Sequence, residues 1–428
     1  MNHNTLKTII LDRIKEIQEF DIVTRKYEME ENGNYILIGL RRAGKSFLLY
    51  KRILDYVASG VEWEQIIYVN FEDERLEGFT AKDFQDIVEV QAELSDKPGY
   101  FFLDEIQNID GWEKFVRRLA DSKKRVFVTG SNAKMLSREM ESSLGGRLLS
   151  LTVSPYTFGE FLTAKNIPHT ENDLLTTTTR GAIARAYEDY LHDGGLPESL
   201  LYKVRKTYIE SVYKKTLLHD IISRNNIRND HALSLLIKKI AETVMREVSY
   251  SSLHGAVKAV GTNISKDTLI QYIDDIEEAF LMFHLQNYIT KFAERESNPK
   301  YYFADNGILN LFLIDKDTAL LENQIAVALH QNYGDDLYFF KSKKTGIDVD
   351  FYLPEHGAVY QVCYSLSDSA IQREVDSIVD LCNDTRKKDN VRCVEKCYII
   401  THSEKDTIEK DGVTIQVVPA AEFLLSLE

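Results

Sequence analysis

The stretch that most narrows what this chain can fold into is Gly39-Leu40-Arg41-Arg42-Ala43-Gly44-Lys45-Ser46, which reads G-x-x-x-x-G-K-S. It follows a polar turn, "ENGN", and an apolar run, "YILI", and it opens the helix-patterned "FLLYKRILDYV". Strand, glycine loop and helix are the setting in which this motif cradles phosphate. The glycines let backbone N–H groups curl around phosphate oxygens at the positive end of a helix, Lys45 neutralises the outer phosphates, and Ser46 offers a hydroxyl to Mg2+. ATP and Mg2+ are the expected ligands, and residues 39–46 the expected nucleotide-binding set.

Binding alone does not imply hydrolysis, so the second half of such a site matters. "GYFFLDEI" sets a continuously apolar strand ahead of Asp104 and Glu105, as for a buried parallel strand that ends at the site. Asp104 is expected to hold the Mg2+ shell together with Ser46, and Glu105 to orient or deprotonate the attacking water. The next strand, "RVFVTGSN", ends in Thr129, Ser131 and Asn132. A polar tip at the carboxyl end of a parallel strand faces the ligand, which makes Ser131 or Asn132 the expected phosphate sensor. Arg147, in "LGGRLLSLTV", precedes a fifth apolar run. It is expected to contact the terminal phosphate in its own or a neighbouring subunit, or else to make a surface salt bridge. Glu72 and Asp73, in "NFEDERL", fall on the same rim and read as a solvated loop. Strand and helix patterns alternate through the region, which gives an α/β fold with a parallel sheet covered by helices on both faces.

At 428 residues the chain has room for about three domains. The N-terminus lacks an export-signal pattern, and no apolar stretch is long enough to span a bilayer, so a cytoplasmic protein without a membrane partner is expected. A formal net charge of -15 opposes sequence-independent binding to phosphate backbones, so DNA as a partner would need a local basic patch. Cys363, Cys382, Cys393 and Cys397 include no CxxC pair and read as buried reduced thiols rather than a zinc set.

The set "GLRRAGKS", "FFLDEIQNIDGWE", "VTGSN", "GGRLLSLTVSPYTFGEF" and "GGLPE" resembles a family of bacterial and archaeal AAA-plus ATPases fused to a C-terminal domain of unknown function. The resemblance implies a P-loop ATPase core in which Lys45, Ser46, Asp104, Glu105, Asn132 and Arg147 hold the positions of the family's loop, acidic strand, sensor and arginine. The expected domains are an ATPase core at 1–167, a helical lid and linker at 168–228 that includes the threonine run, a winged helix at 229–305, and a degenerate α/β domain resembling restriction endonucleases at 306–428. His192, without a metal-ligand partner at helical spacing, reads as a loop residue.

Three helical patterns, "HALSLLIKKIAETVMREV", "YSSLHGAVKAVG" and "SKDTLIQYIDDIEEAF", precede two strands, which is the order of a winged helix. The third helix carries Asp267, Asp274, Asp275, Glu277 and Glu278 against Lys266, so protein binding or packing is favoured over DNA reading. The last domain reads helix, three strands, helix, strand, with Glu322 and Asp350 in the positions of nuclease metal ligands. The strand after Asp350 should then carry an acid and a lysine two apart; it carries Gln361 and Cys363. A nuclease-shaped domain without nuclease activity is the expectation, with Lys341–Lys344 as a weak source for a migrated lysine. The whole reads as a Mg2+-dependent ATPase, a homo-oligomer that couples nucleotide state to C-terminal domains which bind an unidentified protein. The alternative is an ATP-regulated DNA-binding or nuclease-like protein of a mobile element or defence system.

Overall fold

The computed structural model describes residues 2–133, 144–288, 298–314, 317–367, 371–386 and 392–428. The chain divides into two compact units, Met1–Ser154 with Glu278–Phe280, and Pro155–Glu277 with Leu281–Glu428.

In the first unit the apolar runs become a five-stranded sheet of β1 (Tyr35–Ile38), β2 (Ile66–Asn70), β3 (Tyr100–Asp104), β4 (Arg125–Gly130) and β5 (Leu149–Thr152). All neighbours pair parallel, in the order β2-β3-β4-β1-β5. Apart from Asp104, Arg125 and Thr129 near their ends, the inner strands are apolar because helices cover the sheet and bury both sides of each strand. The helices are α1 (His3–Ile17), α2 (Lys45–Ala58), α3 (Phe84–Leu94) and α4 (Trp112–Asp121). Leu6, Ile9, Ile10, Ile14 and Ile17 repeat at helical spacing along α1 and are buried, so this helix contributes to the core of the unit. The helix pattern "AKMLSREM" falls largely outside the described residues. Strand order positions the site: β4 lies between β1, which feeds the glycine loop, and β3, which ends in Asp104, so all three deliver polar residues to one rim.

The second unit opens with α5 (Phe158–Ala164), α6 (Thr177–Asp193) and α7 (Arg205–Lys215), the last continuing into π-helical geometry over Thr216–Ser223. The compact boundary falls at Ser154 rather than 167 because α5 packs on α6 and on the C-terminal helix of this unit. The threonine run is not a linker. Thr176 caps α6 by accepting from the Thr179 N–H, and the remaining threonines form its first turn. His192 lies in the last turn of α6 rather than in a loop, with Nδ1 2.9 Å from the Glu188 carbonyl.

Next come α8 (Asp230–Ala241), α9 (Tyr250–Ala259) and α10 (Lys266–Glu278), then an antiparallel ribbon of β6 (Met282–Leu285) and β7 (Lys300–Phe303), the short α11 (Asn306–Leu309) and α12 (Asp317–Tyr333). A six-stranded mixed sheet lies beyond them in the chain: β8 (Tyr338–Lys341), β9 (Asp348–Leu353), β10 (Ala358–Val362), β11 (Lys396–Thr401), β12 (Asp406–Lys410) and β13 (Val413–Pro419), in the order β12-β13-β11-β10-β9-β8. It packs with α13 (Ile371–Arg386) and α14 (Ala420–Ser426). Strand β12, with the polar sequence "DTIEK", has no hydrophobic alternation and is held by its antiparallel pairing to β13.

Gly194 and Asn323 fix the middle of this unit. Gly194 has φ 73°, and a Cβ there would lie 2.2 Å from Asp305 Oδ1, so "DGGLPE" admits no side chain at this point. The Asp305 carboxylate accepts from the Gly195 N–H at 2.7 Å. Asn323, fully buried on α12, accepts from the Phe303 N–H at 2.8 Å and donates to the Phe303 carbonyl at 3.0 Å and to Asn306 Oδ1 at 2.9 Å. An amide here satisfies both backbone groups of Phe303 at the end of β7. Asn323→Leu, which keeps the volume and removes both bonds to Phe303, is expected to lower unfolding stability by roughly 3 kcal/mol in urea titrations monitored by far-UV circular dichroism. An unchanged midpoint would contradict this account.

Candidate functional site

The glycine loop is built from left-handed backbone. Gly39 has φ 144°, Arg42 65° and Gly44 99°, the last as the N-cap of α2. A Cβ on Gly39 would lie 2.1 Å from the Val153 carbonyl oxygen, so glycine is required by sterics as well as by phosphate geometry. Lys45 is 4 % exposed, and its ammonium donates to the Gly39 and Leu40 carbonyls at 3.0 and 3.2 Å. Leu40, Arg41 and Ala43 are buried, Ser46 is half-buried in the first turn of α2, and Arg42 is exposed. Arg41 donates to Glu72 at 2.9 Å, so Glu72 is tied to the loop, while Asp73 is held by Arg75.

Asp104 is buried, and each of its carboxylate oxygens accepts a hydroxyl: Oδ2 from Tyr68 on β2 and Oδ1 from Thr129 on β4. Burial, then the Asp104 charge, pushes the Tyr68 phenol well above its usual range, which keeps it a donor. Thr129 Oγ1 also accepts the Glu105 N–H at 2.9 Å. Glu105 has φ 52°, an unfavourable conformation for a side-chain-bearing residue and one that turns its carboxylate back toward the loop. That carboxylate lies 4.0 Å from the Lys45 ammonium and accepts from Gln107. Burial pushes the Glu105 carboxyl up; Lys45 opposes this and Asp104 adds to it. Ser131 and Asn132 are buried at the end of β4, between the two halves of the site.

Arg147 lies elsewhere. It precedes Leu149, which pairs with Tyr35 at the start of β1, so it stands at the amino edge of the sheet, opposite the rim where β1 delivers the loop. Its Nε donates to Asp121 at 2.7 Å. Contact with the phosphate site of its own chain is excluded by this placement.

Sequence reasoning missed Arg25. Its guanidinium donates to the Ala43 carbonyl of the loop and to the Ser154 carbonyl, both at 2.9 Å, and lies 4.9 Å from the Tyr27 ring centre; the Tyr27 hydroxyl accepts the Ser154 N–H at 3.0 Å. The loop turns its N–H groups inward, so an outward carbonyl such as Ala43 needs a donor. No motif in "DIVTRKYEME" gave a signal for this.

The second unit holds a second charged constellation. Glu322 of α12 and Asp350 of β9 come together, and the cation between them is Lys300 of β7, not a residue of Lys341–Lys344. Lys300 Nζ lies 3.1 Å from Asp350 and 3.7 Å from Glu322, and Tyr302 donates to Glu322 at 2.8 Å. Lys341 instead pairs with Asp348 at 2.8 Å. Gln361 Oε1 accepts the Asp350 N–H at 3.0 Å, and its amide donates to Glu374, a carboxylate from α13 that the sequence pattern does not place here. Burial, then Asp350, pushes Glu322 up to about 8. For Lys300 burial works downward, and Asp350 and Glu322 outweigh it. Among the described residues, the one group of three ligand-type side chains close enough to share a metal ion is His3, Asp86 and Glu89 in the first unit, so Glu322, Asp350 and Glu374 do not converge on one point. Cys363, at the position where a nuclease lysine would stand, is buried and donates to the Ser365 carbonyl.

Residues 31–162 match the family model described as AAA domain, and residues 184–319 match that described as Domain of unknown function (DUF8612). The first unit is thus an α/β nucleotide-binding domain of AAA type. The chain is similar to the uncharacterized protein MJ1544 of Methanocaldococcus jannaschii, 29% identical over 424 residues, covering 96% of this chain and 93% of that one. It is also 29% identical to an uncharacterized protein of Haemophilus influenzae over 401 residues, 91% of this chain and 94% of that one. Among solved structures it is similar to the Walker-type ATPase PABY2304 of Pyrococcus abyssi, with a TM-score of 0.40 and 15% identity, over 70% of this chain and 100% of that one. The ORC1 protein of Aeropyrum pernix in complex with DNA gives a TM-score of 0.28 and 15% identity, over 76% and 93%. Among the described residues no helix is long and apolar enough to cross a membrane.

Arg25→Ala removes the donor of the Ala43 carbonyl without touching the loop sequence. It is expected to weaken binding of a fluorescent ATP analogue about tenfold, read by anisotropy, because the loop loses the bonds that hold its N–H groups inward. Unchanged affinity would show that the loop keeps its shape without Arg25.

Proposed function

We propose that the chain is a Mg2+-dependent ATPase whose nucleotide state controls the C-terminal unit and, through it, binding of a protein partner. The observation that carries this reading is the Glu105 carboxylate 4.0 Å from the Lys45 ammonium, beside Asp104 and behind a complete glycine loop. Lys45 rests on two carbonyl oxygens, neutral partners that the phosphates of ATP outcompete. Mg2+, held by Ser46 and Asp104, would neutralise charge on the phosphates as the terminal bond breaks. The Tyr68 and Thr129 hydroxyls hold Asp104 in place for that role. Glu105 acts as the base or orienting group for water, and its raised pKa suits the role, since a weakly basic carboxylate is a poor proton acceptor. Asn132 or Ser131 senses the terminal phosphate. Arg147, remote from its own site, acts on a neighbouring subunit, which makes the active form a homo-oligomer. The three helices and ribbon of 230–303 serve as a winged-helix-like interaction module, and the six-stranded sheet with its Lys300 core as a nuclease-like scaffold. The acidic α10 favours a protein over DNA as partner.

A second reading, an ATP-regulated DNA-binding or nuclease-like protein, is favoured by Lys300, which brings a lysine to Asp350 where the strand carrying Gln361 has none. Its test is incubation with plasmid and Mg2+ or Mn2+. Nicking by the wild type that is lost in Asp350→Ala would establish it, and no cleavage with no salt-sensitive DNA binding would remove it.

For the leading reading, Lys45→Ala is expected to abolish ATP binding in calorimetry. Glu105→Gln is expected to bind ATP as the wild type does while phosphate release falls by about 10²–10³. Because the active form of Glu105 is the ionised one, turnover should fall as pH drops through a value above the ordinary carboxylate range, and that limb should vanish in Glu105→Gln. Wild-type protein that neither binds nor hydrolyses ATP overturns the proposal.

A further inference from the structure

Outside both charged sites, the inner strand β11 and helix α13 bring two sulfur atoms into contact. Cys382, near the C-terminal end of α13, and Cys397, the second residue of β11, are both free and buried, with Sγ atoms 3.4 Å apart. The backbone fixes them. Val394 donates to Thr385 Oγ1 at 3.3 Å, and the Glu395 and Lys396 N–H groups donate to the Gly357 carbonyl at 2.9 and 3.1 Å, so β11 starts at a set distance from the helix. A water-accessible cavity of about 380 Å3 opens beside the pair, lined by Cys393, Cys397, Arg386, Glu395 and Thr414 among others. Cys397 thus forms part of the cavity wall while Cys382 lies behind it, fully buried. Among the described residues no third cysteine joins them closely enough to share a metal ion.

We propose that Cys382 and Cys397 are a peroxide-reactive dithiol, oxidised through this cavity to a disulfide that ties α13 to β11. Hydrogen peroxide is small enough to enter a space that admits water. The Cys397 sulfur attacks one peroxide oxygen, the O–O bond breaks, and the departing oxygen leaves as water, giving a sulfenic acid at Cys397. The Cys382 sulfur then attacks the Cys397 sulfur, the S–O bond breaks, and the second water leaves with the Cys382 proton. Two thiols and one peroxide become one disulfide and two waters, so sulfur is oxidised and oxygen reduced in balance. The hydrogen bond between the two, assisted at Cys382 by the Arg386 charge, lowers the Cys382 pKa and raises that of Cys397. Cys382 therefore carries the thiolate character of the pair, as its attack in the resolving step requires, while position on the cavity makes Cys397 the sulfur that peroxide reaches. Closure needs the sulfurs to approach from 3.4 Å to bonding distance, about 2.05 Å. Cys393, though exposed on the same cavity, is not needed.

The test treats the reduced full-length chain with a small excess of hydrogen peroxide, quenches with catalase, blocks free thiols with iodoacetamide, and maps peptides by mass spectrometry with and without dithiothreitol. The expected result is a dithiothreitol-sensitive link between the peptides of Cys382 and Cys397, two alkylatable thiols fewer than the four in the reduced chain, and an upward shift of the thermal transition that dithiothreitol reverses. The link should be absent from Cys382→Ala and Cys397→Ala and retained in Cys393→Ala. Four thiols after treatment, oxidation confined to Cys393, or a link that requires Cys393 would each overturn the proposal. If either alanine variant fails to fold, the wild-type peptide map and Cys393→Ala decide between these outcomes.

Discussion

The Asp104 carboxylate, gripped by Tyr68 from one side and Thr129 from the other, is the interaction on which the nucleotide rim depends. Three adjacent strands contribute to it, and their register is set by backbone pairing: Asn70 lies opposite Asp104 on β2 and β3, and Leu103 opposite Val128 on β3 and β4. A buried carboxylate without donors would destabilise the fold by several kcal/mol. With two hydroxyls it stays in place, and Thr129 extends the grip by accepting the Glu105 N–H, which helps hold Glu105 in its left-handed conformation. The carboxylate proposed as the base, Glu105, is therefore positioned by a threonine two residues before Ser131, which couples the end of β4 to it.

The readable parts of the sequence were those in which chemistry and local structure share a few consecutive residues. The glycine loop, the strand ending in Asp104 and Glu105, and the alternation that gives a parallel sheet are all short-range patterns. Arg25, Tyr68, Lys300 and Glu374 were invisible because their roles come from pairings across the fold: Arg25 reaches Ser154, and Lys300 reaches Asp350. No spacing rule connects such positions. The threonine run and His192 failed for a different reason. Four consecutive threonines suggest a linker by composition, but Thr176 is a good cap, and tertiary packing of Ile183, Tyr187 and Leu191 overrides the weak intrinsic helix preference of the threonines after it. Strand β12 was missed because it is an edge strand whose pairing, not its pattern, makes it a strand.

The expected loss of nuclease chemistry looks different once Lys300 is placed. The strand of Gln361 lacks both the acid and the lysine of a nuclease motif, yet an acid and a lysine stand nearby in space, Glu374 from a helix and Lys300 from the ribbon. Gln361 bridges the backbone of Asp350 to Glu374, so the glutamine acts as a spacer rather than as a defect. Among the described residues, these carboxylates form no group close enough to share a divalent ion.

Each unit thus sets a buried lysine near two carboxylates, and the difference between the two sets explains where chemistry can occur. Lys45 donates to the neutral Gly39 and Leu40 carbonyls, and the Glu105 carboxylate lies 4.0 Å from it. An incoming polyphosphate offers several negative oxygens in place of two neutral ones, so the lysine transfers to the ligand with a net gain in charge pairing. Lys300 already has Asp350 at 3.1 Å and Glu322 at 3.7 Å. Any ligand that drew it away would leave the Asp350 carboxylate buried beside Glu322 without its cation, a penalty of several kcal/mol that phosphate binding would have to exceed. The first lysine faces a site whose neighbours include neutral oxygens that a phosphate can replace; the second is held between acidic groups, and its site serves the fold more readily than a reaction.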